Sequence, residues 1–241
     1  MTIVRTFVWL VMCLSLLIVT CGVSYQVNKL VQFGYPFWYE VIAIDAHIKR
    51  YAPLNKMKRK DFHLTVKHQH LALFEQINDA VHDQPDQLAE IRYTTNSGSK
   101  PLLTDSEVTH LRDVHLLLRD FNVLWWLSTP VTFILLFLYW RSRLRLPSVL
   151  MQRGIGLAAG LAFVVSYLVV GFDALYTEFH QRAFPVQHQW YFEYYESLMT
   201  TLLKAPDLFA IWALQIGGFA LLTFVAVLVG LQRRQSRMVP L

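Results

Sequence analysis

Four apolar runs, each long enough to cross a bilayer, limit what this chain can fold into. They occupy residues 3–23, 123–140, 155–176 and 208–231. Crossing the hydrocarbon takes about 20 residues of helix. No water is available there, so every backbone N–H and C=O must bond within its own segment and each run is expected to be a helix. Of the 241 residues, 54% are hydrophobic and 16% charged, a balance too apolar for an average soluble domain. The expected fold is mainly α. A four-helix transmembrane bundle carries a mostly helical extracytoplasmic cap, in which short β strands have room to form. The whole of residues 1–241 reads as a single integral membrane domain.

Arginine placement gives the orientation. Arg5 precedes the first run, R-S-R-L-R-L-P-S-V-L-M-Q-R joins the second and third, and Q-R-R-Q-S-R follows the fourth. All three places are expected on the cytoplasmic side. Both termini are then inside, and residues 24–122 and 177–207 form outer loops. The net charge of +5 clusters beside apolar runs, so it is not a nucleic-acid footprint. The first run resembles a secretory signal. Thr20 is bulky for the residue before a processed Cys21, and three more spans follow, so an uncleaved signal-anchor is expected. Cys13 and Cys21 lie in that run and form no disulfide framework.

Along the first outer loop, Gly34 and Pro36 should break any helix. Tyr35, Phe37, Trp38 and Tyr39 suit an interfacial belt or a wall against lipid. The cluster N-K-M-K-R-K at residues 55–60 reads as a solvated turn, or a patch for anionic headgroups. Leu64, Leu71, Phe74, Ile77 and Val81 have helical spacing. His68 and His70, two apart, do not share a helix face, so no metal pair is expected. Residues 89–95 suit a short strand before an N-S-G-S-K-P turn. Thr104 and Glu107 have capping-box spacing, so a helix should begin there. Pro130 suits a kink, while Gly154, Gly156, Gly160, Gly217 and Gly218 suit close helix contacts.

Two stretches carry candidate chemistry. Residues 173–190 read D-A-L-Y-T-E-F-H-Q-R-A-F-P-V-Q-H-Q-W. A helix continuing from the third run would put Asp173, Thr177 and His180 on one face. Residues 104–115 place Glu107, His110 and Asp113 three apart, along one side of the new helix. Each stretch also suits an ordinary solvated or interfacial flank. With Glu193 and Glu196, which follow Trp190, they set His180, His110, Asp173, Glu107, Asp113 and Arg182 at the outer interface. No G-x-S-x-G, P-loop or G-x-G-x-x-G occurs. From the residues alone, two readings stand: an outer-face membrane enzyme with a histidine base, or a sensor, scaffold or other interaction protein with a polar outer cap. A metal or haem protein is a third, and the absence of histidine from the spanning runs weighs against haem.

The motif F-D-x-L-x-x-x-F-H-x-x-x-F at residues 172–184 resembles one of the bacterial lipoprotein intramolecular transacylase (Lit) family. Trp190, S-L-M at 197–199, P-D-L-F at 206–209 and S-E-V-x-H-L-x-D-V at 106–114 carry the same resemblance. His115 stands where that family often has lysine, and Glu196 where it has aspartate. The resemblance implies a membrane acyltransferase acting on diacylglyceryl-modified lipoproteins. The cysteine α-amine attacks the sn-2 ester, giving the N-acyl S-monoacylglyceryl (lyso) form. It implies His180 as general base, and His110 as a group that orients the ester or shares proton traffic. Glu107 and Asp113 would orient these histidines, and Arg182 or a backbone N–H would hold the oxyanion. Asp173, Trp190, Glu196 and Tyr25 would support or bind substrate. No cofactor, metal, nucleotide or nucleic acid is implied. The partners are lipoproteins and membrane lipid. The location is the bacterial cytoplasmic membrane, multi-pass, with the active site at the outer leaflet.

Overall fold

The computed structural model describes residues 2–141 and 143–238, with the side chains of residues 2, 167, 172, 173 and 238 outside that description. Helices α1 (Thr2–Leu30), α5 (Asp105–Trp140), α6 (Val149–Val170) and α9 (Asp207–Met238) are each long and apolar enough to cross a membrane. They contain the first, second and fourth runs whole and the third as far as Val170. The chain divides into two compact units. One holds residues 1–25, 121–182 and 216–241, the other residues 26–120 and 183–215.

The first unit joins parts of α1, α5 and α9 to all of α6 and to most of α7 (Phe172–Ala183). Trp9, Met12, Tyr139, Leu146 and Leu231 form a buried cluster. Around it the three basic places of the sequence converge. Arg5 donates to the Leu146 carbonyl. Gln235 donates to Tyr139 and Leu144 carbonyls (3.0 and 2.9 Å) and accepts from the Leu146 N–H (3.0 Å). Arg234 donates to the Trp140 carbonyl and lies 3.9 Å over its ring.

Two expectations need correction here. Among the described residues, a Cβ built at Gly154, Gly156, Gly160, Gly217 or Gly218 meets nothing within 4 Å. Spacing alone does not say which helix face has a neighbour. The close approach is instead at Gly22, where a Cβ would overlap the Trp125 ring. The third run is also not one helix. It ends at Val170, Gly171 takes φ +81°, and α7 starts anew. Glycine reaches that left-handed region without a Cβ clash.

The second unit is built from α2 (Tyr35–Val41), α3 (Ile44–Tyr51), α4 (Lys67–Asp83), α8 (Leu198–Leu203), the hairpin β1 (Arg92–Thr95) with β2 (Gly98–Pro101), and the N-terminal turns of α5. The strands pair antiparallel, from Arg92 opposite Pro101 to Thr95 opposite Gly98. Positive φ at Gln32, Phe33 and Gly34 turns the chain between α1 and α2, and Pro36 sits in the first turn of α2. Tyr35 and Tyr39 point inward rather than lining a lipid-facing wall. Tyr35 stacks on Phe74 and donates to the Leu202 carbonyl (2.9 Å), while the Tyr39 hydroxyl bonds His70 Nδ1 (2.6 Å). A phenol buried with a partner satisfies both its apolar ring and its polar tip. Trp38 bonds Gln215 (3.0 Å), and Phe37 alone of the four is well exposed.

The basic cluster is not uniformly solvated either. Arg59 is buried and donates to the Leu102 (2.6 Å) and Glu196 (3.1 Å) carbonyls. Asp61 receives bonds from Lys100, Tyr93, Thr95 and Ser97. Burial opposes its ionisation, but these four donors outweigh that and hold its carboxyl well below the usual range. They fasten the hairpin to residues 60–64.

Candidate functional site

Helix α5 begins as its cap residues dictate. The Thr104 N–H and hydroxyl both donate to Glu107 Oε2 (2.6 and 2.8 Å), and the Glu107 N–H returns a bond to the Thr104 hydroxyl (3.3 Å). This is the reciprocal capping box. The other oxygen of Glu107 accepts from Ser197 Oγ, which in turn accepts from the Thr200 N–H (2.8 Å) at the start of α8. Glu107 and Ser197 are fully buried. Glu107 also favours the charge on Arg59, against the burial that disfavours it. This carboxylate therefore joins the first turn of α5 to α8.

One turn on, the half-buried His110 packs edge-on against Phe184 (ring centroids 5.0 Å, 71°) and beside Phe192 (5.9 Å, 52°). A further turn on, Asp113 accepts from His188 Nδ1 at 2.7 Å. The histidine with which Asp113 pairs is thus His188, which sequence reasoning did not single out. It lies 75 positions away in an irregular segment, where no periodicity marks a face. His115 bonds the Val81 carbonyl through Nδ1 (2.8 Å).

His180 belongs to the first unit and lies in α7. Its Nδ1 is 2.7 Å from the Tyr176 carbonyl, and its ring lies beside those of Tyr176 and Phe179. A carbonyl only accepts, so Nδ1 carries the proton and Nε2 is the basic nitrogen. Burial lowers the pKa of the 9% exposed ring, and the bond to Tyr176 opposes this in part. The neutral form is favoured near pH 7.

The remaining candidates are more peripheral. Arg182 is exposed and paired with Glu178 one turn earlier (2.5 Å). Tyr25 meets Phe121 edge-on at 6.3 Å. Trp190 is half-buried with Tyr191 edge-on to it (6.2 Å). Glu196 engages Arg59 through its backbone carbonyl. Asp173 lies in α7, but its side chain is outside the described residues. Among the described residues, no three His, Cys, Asp or Glu side chains group as a ligand set for a metal ion. His70 is fully buried, with Tyr39 on one nitrogen and Thr65 on the other (both 2.6 Å).

These parts suit proton transfer at one or more oriented imidazoles beside apolar helices. A family model described as lipoprotein intramolecular transacylase Lit matches residues 8–205. Neither the curated proteins nor the solved structures provide a match.

Proposed function

Because the chain belongs to the lipoprotein intramolecular transacylase (Lit) family, acyltransferases of lipoprotein maturation, we propose that it moves the sn-2 acyl chain of a diacylglyceryl-modified cysteine onto that cysteine's own α-amine. The product is the N-acyl S-monoacylglyceryl lipoprotein. A C–N bond forms, the ester C–O bond breaks, and one proton passes from nitrogen to the departing glyceryl oxygen. An ester becomes a more stable amide, so no nucleotide is required.

His180 is the general base in this reading. Nε2 takes the amine proton as the tetrahedral centre forms and returns it to the leaving oxygen. The observation that carries the assignment is the bond from Nδ1 to the Tyr176 carbonyl. It fixes the tautomer that leaves Nε2 basic, and burial favours the neutral ring. His110 orients the ester. Arg182 or a backbone N–H receives the oxyanion. Nucleophile and ester belong to one molecule, so much of the acceleration is positioning.

The protein acts as one integral membrane domain, with both termini cytoplasmic and the site at the outer leaflet of the bacterial cytoplasmic membrane. The convergence of Arg5, Tyr139, Trp140, Leu146, Arg234 and Gln235 at one end of the spanning helices supports that orientation. Its partners are lipoproteins and membrane lipid.

The test uses purified protein and a synthetic diacylglyceryl lipopeptide. Fragment-ion spectra should place an acyl chain on the cysteine nitrogen with the wild-type protein and not with His180→Ala. Undiminished transfer by folded His180→Ala would remove it as the base.

A further inference from the structure

We propose that Asp113 and His188 form a positioning pair that seats residues 184–192 on α5 and thereby fixes the ring of His110. This rests on the role given above to His110.

The observation is a register along one helix face. Glu107, His110 and Asp113 are three apart on α5, so they stack along one side. The segment between α7 and α8 meets all three. Ser197 bonds Glu107, Phe184 and Phe192 flank His110, and His188 bonds Asp113. That segment has no regular secondary structure before α8. Its later part is also held by the Lys56 N–H on the Tyr195 carbonyl and by Arg59 on the Glu196 carbonyl, so the contacts to α5 matter most over residues 184–192, which have no backbone ladder.

His188 is suited to be the central fastener. It stands four residues from each phenylalanine, and its N–H bonds the Pro185 carbonyl at 2.9 Å. The resulting turn couples its position to that of buried Phe184. Its partner Asp113 is only 12% exposed in its side chain, against 31% for His188. A largely buried carboxylate is costly without a donor, so this bond is held and not incidental.

The consequence falls on His110. Edge contact with Phe184 and the tilted ring of Phe192 leave its plane little freedom. A base or ester-orienting imidazole works only when one nitrogen points at the reacting group, and a misplacement of about 1 Å can cost about a hundredfold. Releasing His188 from Asp113 would free the two phenylalanines and let that plane swing.

Purified full-length protein with the diacylglyceryl lipopeptide tests this by two readouts. One is the separation of kcat from KM. The other is the rate at which diethylpyrocarbonate modifies His110, located by peptide mass spectrometry. His188→Ala and Asp113→Ala should each lower kcat about 10- to 100-fold with KM little changed. His110 should be modified faster in both. The double variant should be no worse than the single ones, because one bond is being removed twice. His188→Asn carries an amide donor in the place of Nδ1, so it should restore both readouts and remains informative even where Asp113→Ala fails to fold.

Folded His188→Ala with wild-type kcat and wild-type His110 reactivity would overturn the proposal. So would His188→Asn as impaired as His188→Ala, since the imidazole itself would then be required. Full activity of His110→Ala and His180→Ala would instead sink the function proposed above. Inactivity of those two beside unimpaired His188→Ala and Asp113→Ala would sink only the positioning pair.

Discussion

Replacing Glu107 by alanine should be among the most damaging single changes to the second unit. The substitution removes one acceptor of three hydrogen bonds from a site with no exposure. Loss of the capping box costs about 1 kcal/mol. Ser197 is also fully buried, and a hydroxyl left there without its acceptor costs about 1–3 kcal/mol. Arg59, 6% exposed, loses a countercharge that favours its ionised form. The first two losses add to about 2–4 kcal/mol before the lost charge is counted. For a chain of this size that is a fall in Tm of at least about 4–16 °C. Ser197→Ala leaves both Thr104 bonds in place and should cost about 1–2 kcal/mol. Glu107→Gln should cost about 1 kcal/mol, since its carbonyl can face Thr104 and its amide can donate to Ser197 Oγ. Tryptophan-fluorescence melts in detergent micelles measure the series. If Glu107→Ala melts within about 2 °C of the wild type, a change worth under about 1 kcal/mol, the argument from buried donors is wrong.

The fully buried His70 should make the fold acid-sensitive. Burial pushes its pKa down to about 4, whereas the unfolded chain titrates near 6.5. The unfolded state therefore binds more protons between these values, so stability is complete above pH 6.5 and falls as pH drops towards 4. His70→Gln should flatten that fall in Tm, and an unchanged slope would exclude His70 as its source. Gly22→Ala should destabilise the first unit by about 1–3 kcal/mol, because the new methyl would overlap Trp125. A wild-type melt would show that the Trp125 ring can move aside. Arg182→Ala breaks only an exposed pair with Glu178, so it should cost less than about 1 kcal/mol of stability. If Arg182 receives the oxyanion, kcat should still fall about 100-fold, and an unchanged kcat would leave that task to a backbone N–H.

The spanning helices and the start of α5 were legible in the sequence because each is set by local chemistry. Hydrocarbon demands about 20 apolar residues in a row, and a capping box needs only two residues three apart. What was not legible depends on partners distant in sequence or on one backbone angle. A glycine within an apolar run does not announce its backbone angle, so the break that Gly171 makes between α6 and α7 could not be read. A glycine stripe on α6 and a single glycine on α1 look alike until a neighbour such as Trp125 is placed. Tyr35 and Tyr39 have the composition of an interfacial belt, and only the packing of Phe74 and His70 against them makes them core. For the candidate site, the helical positions of Glu107, His110 and Asp113 could be read. Their partners Ser197 and His188 could not, since they lie 90 and 75 residues away.

The most direct test of the account follows the acyl chain itself. A diacylglyceryl lipopeptide with an isotopic label only in the sn-2 chain is mixed with an unlabelled one of different peptide mass. Intact mass would show nothing, because the transfer moves a chain within one molecule. Fragment ions should place the label on the cysteine nitrogen of the peptide that brought it, with no label on the other, and His180→Ala should abolish the transfer. Label left on glycerol with folded wild-type protein, or label shared between the two peptides, would contradict intramolecular transfer from the sn-2 ester.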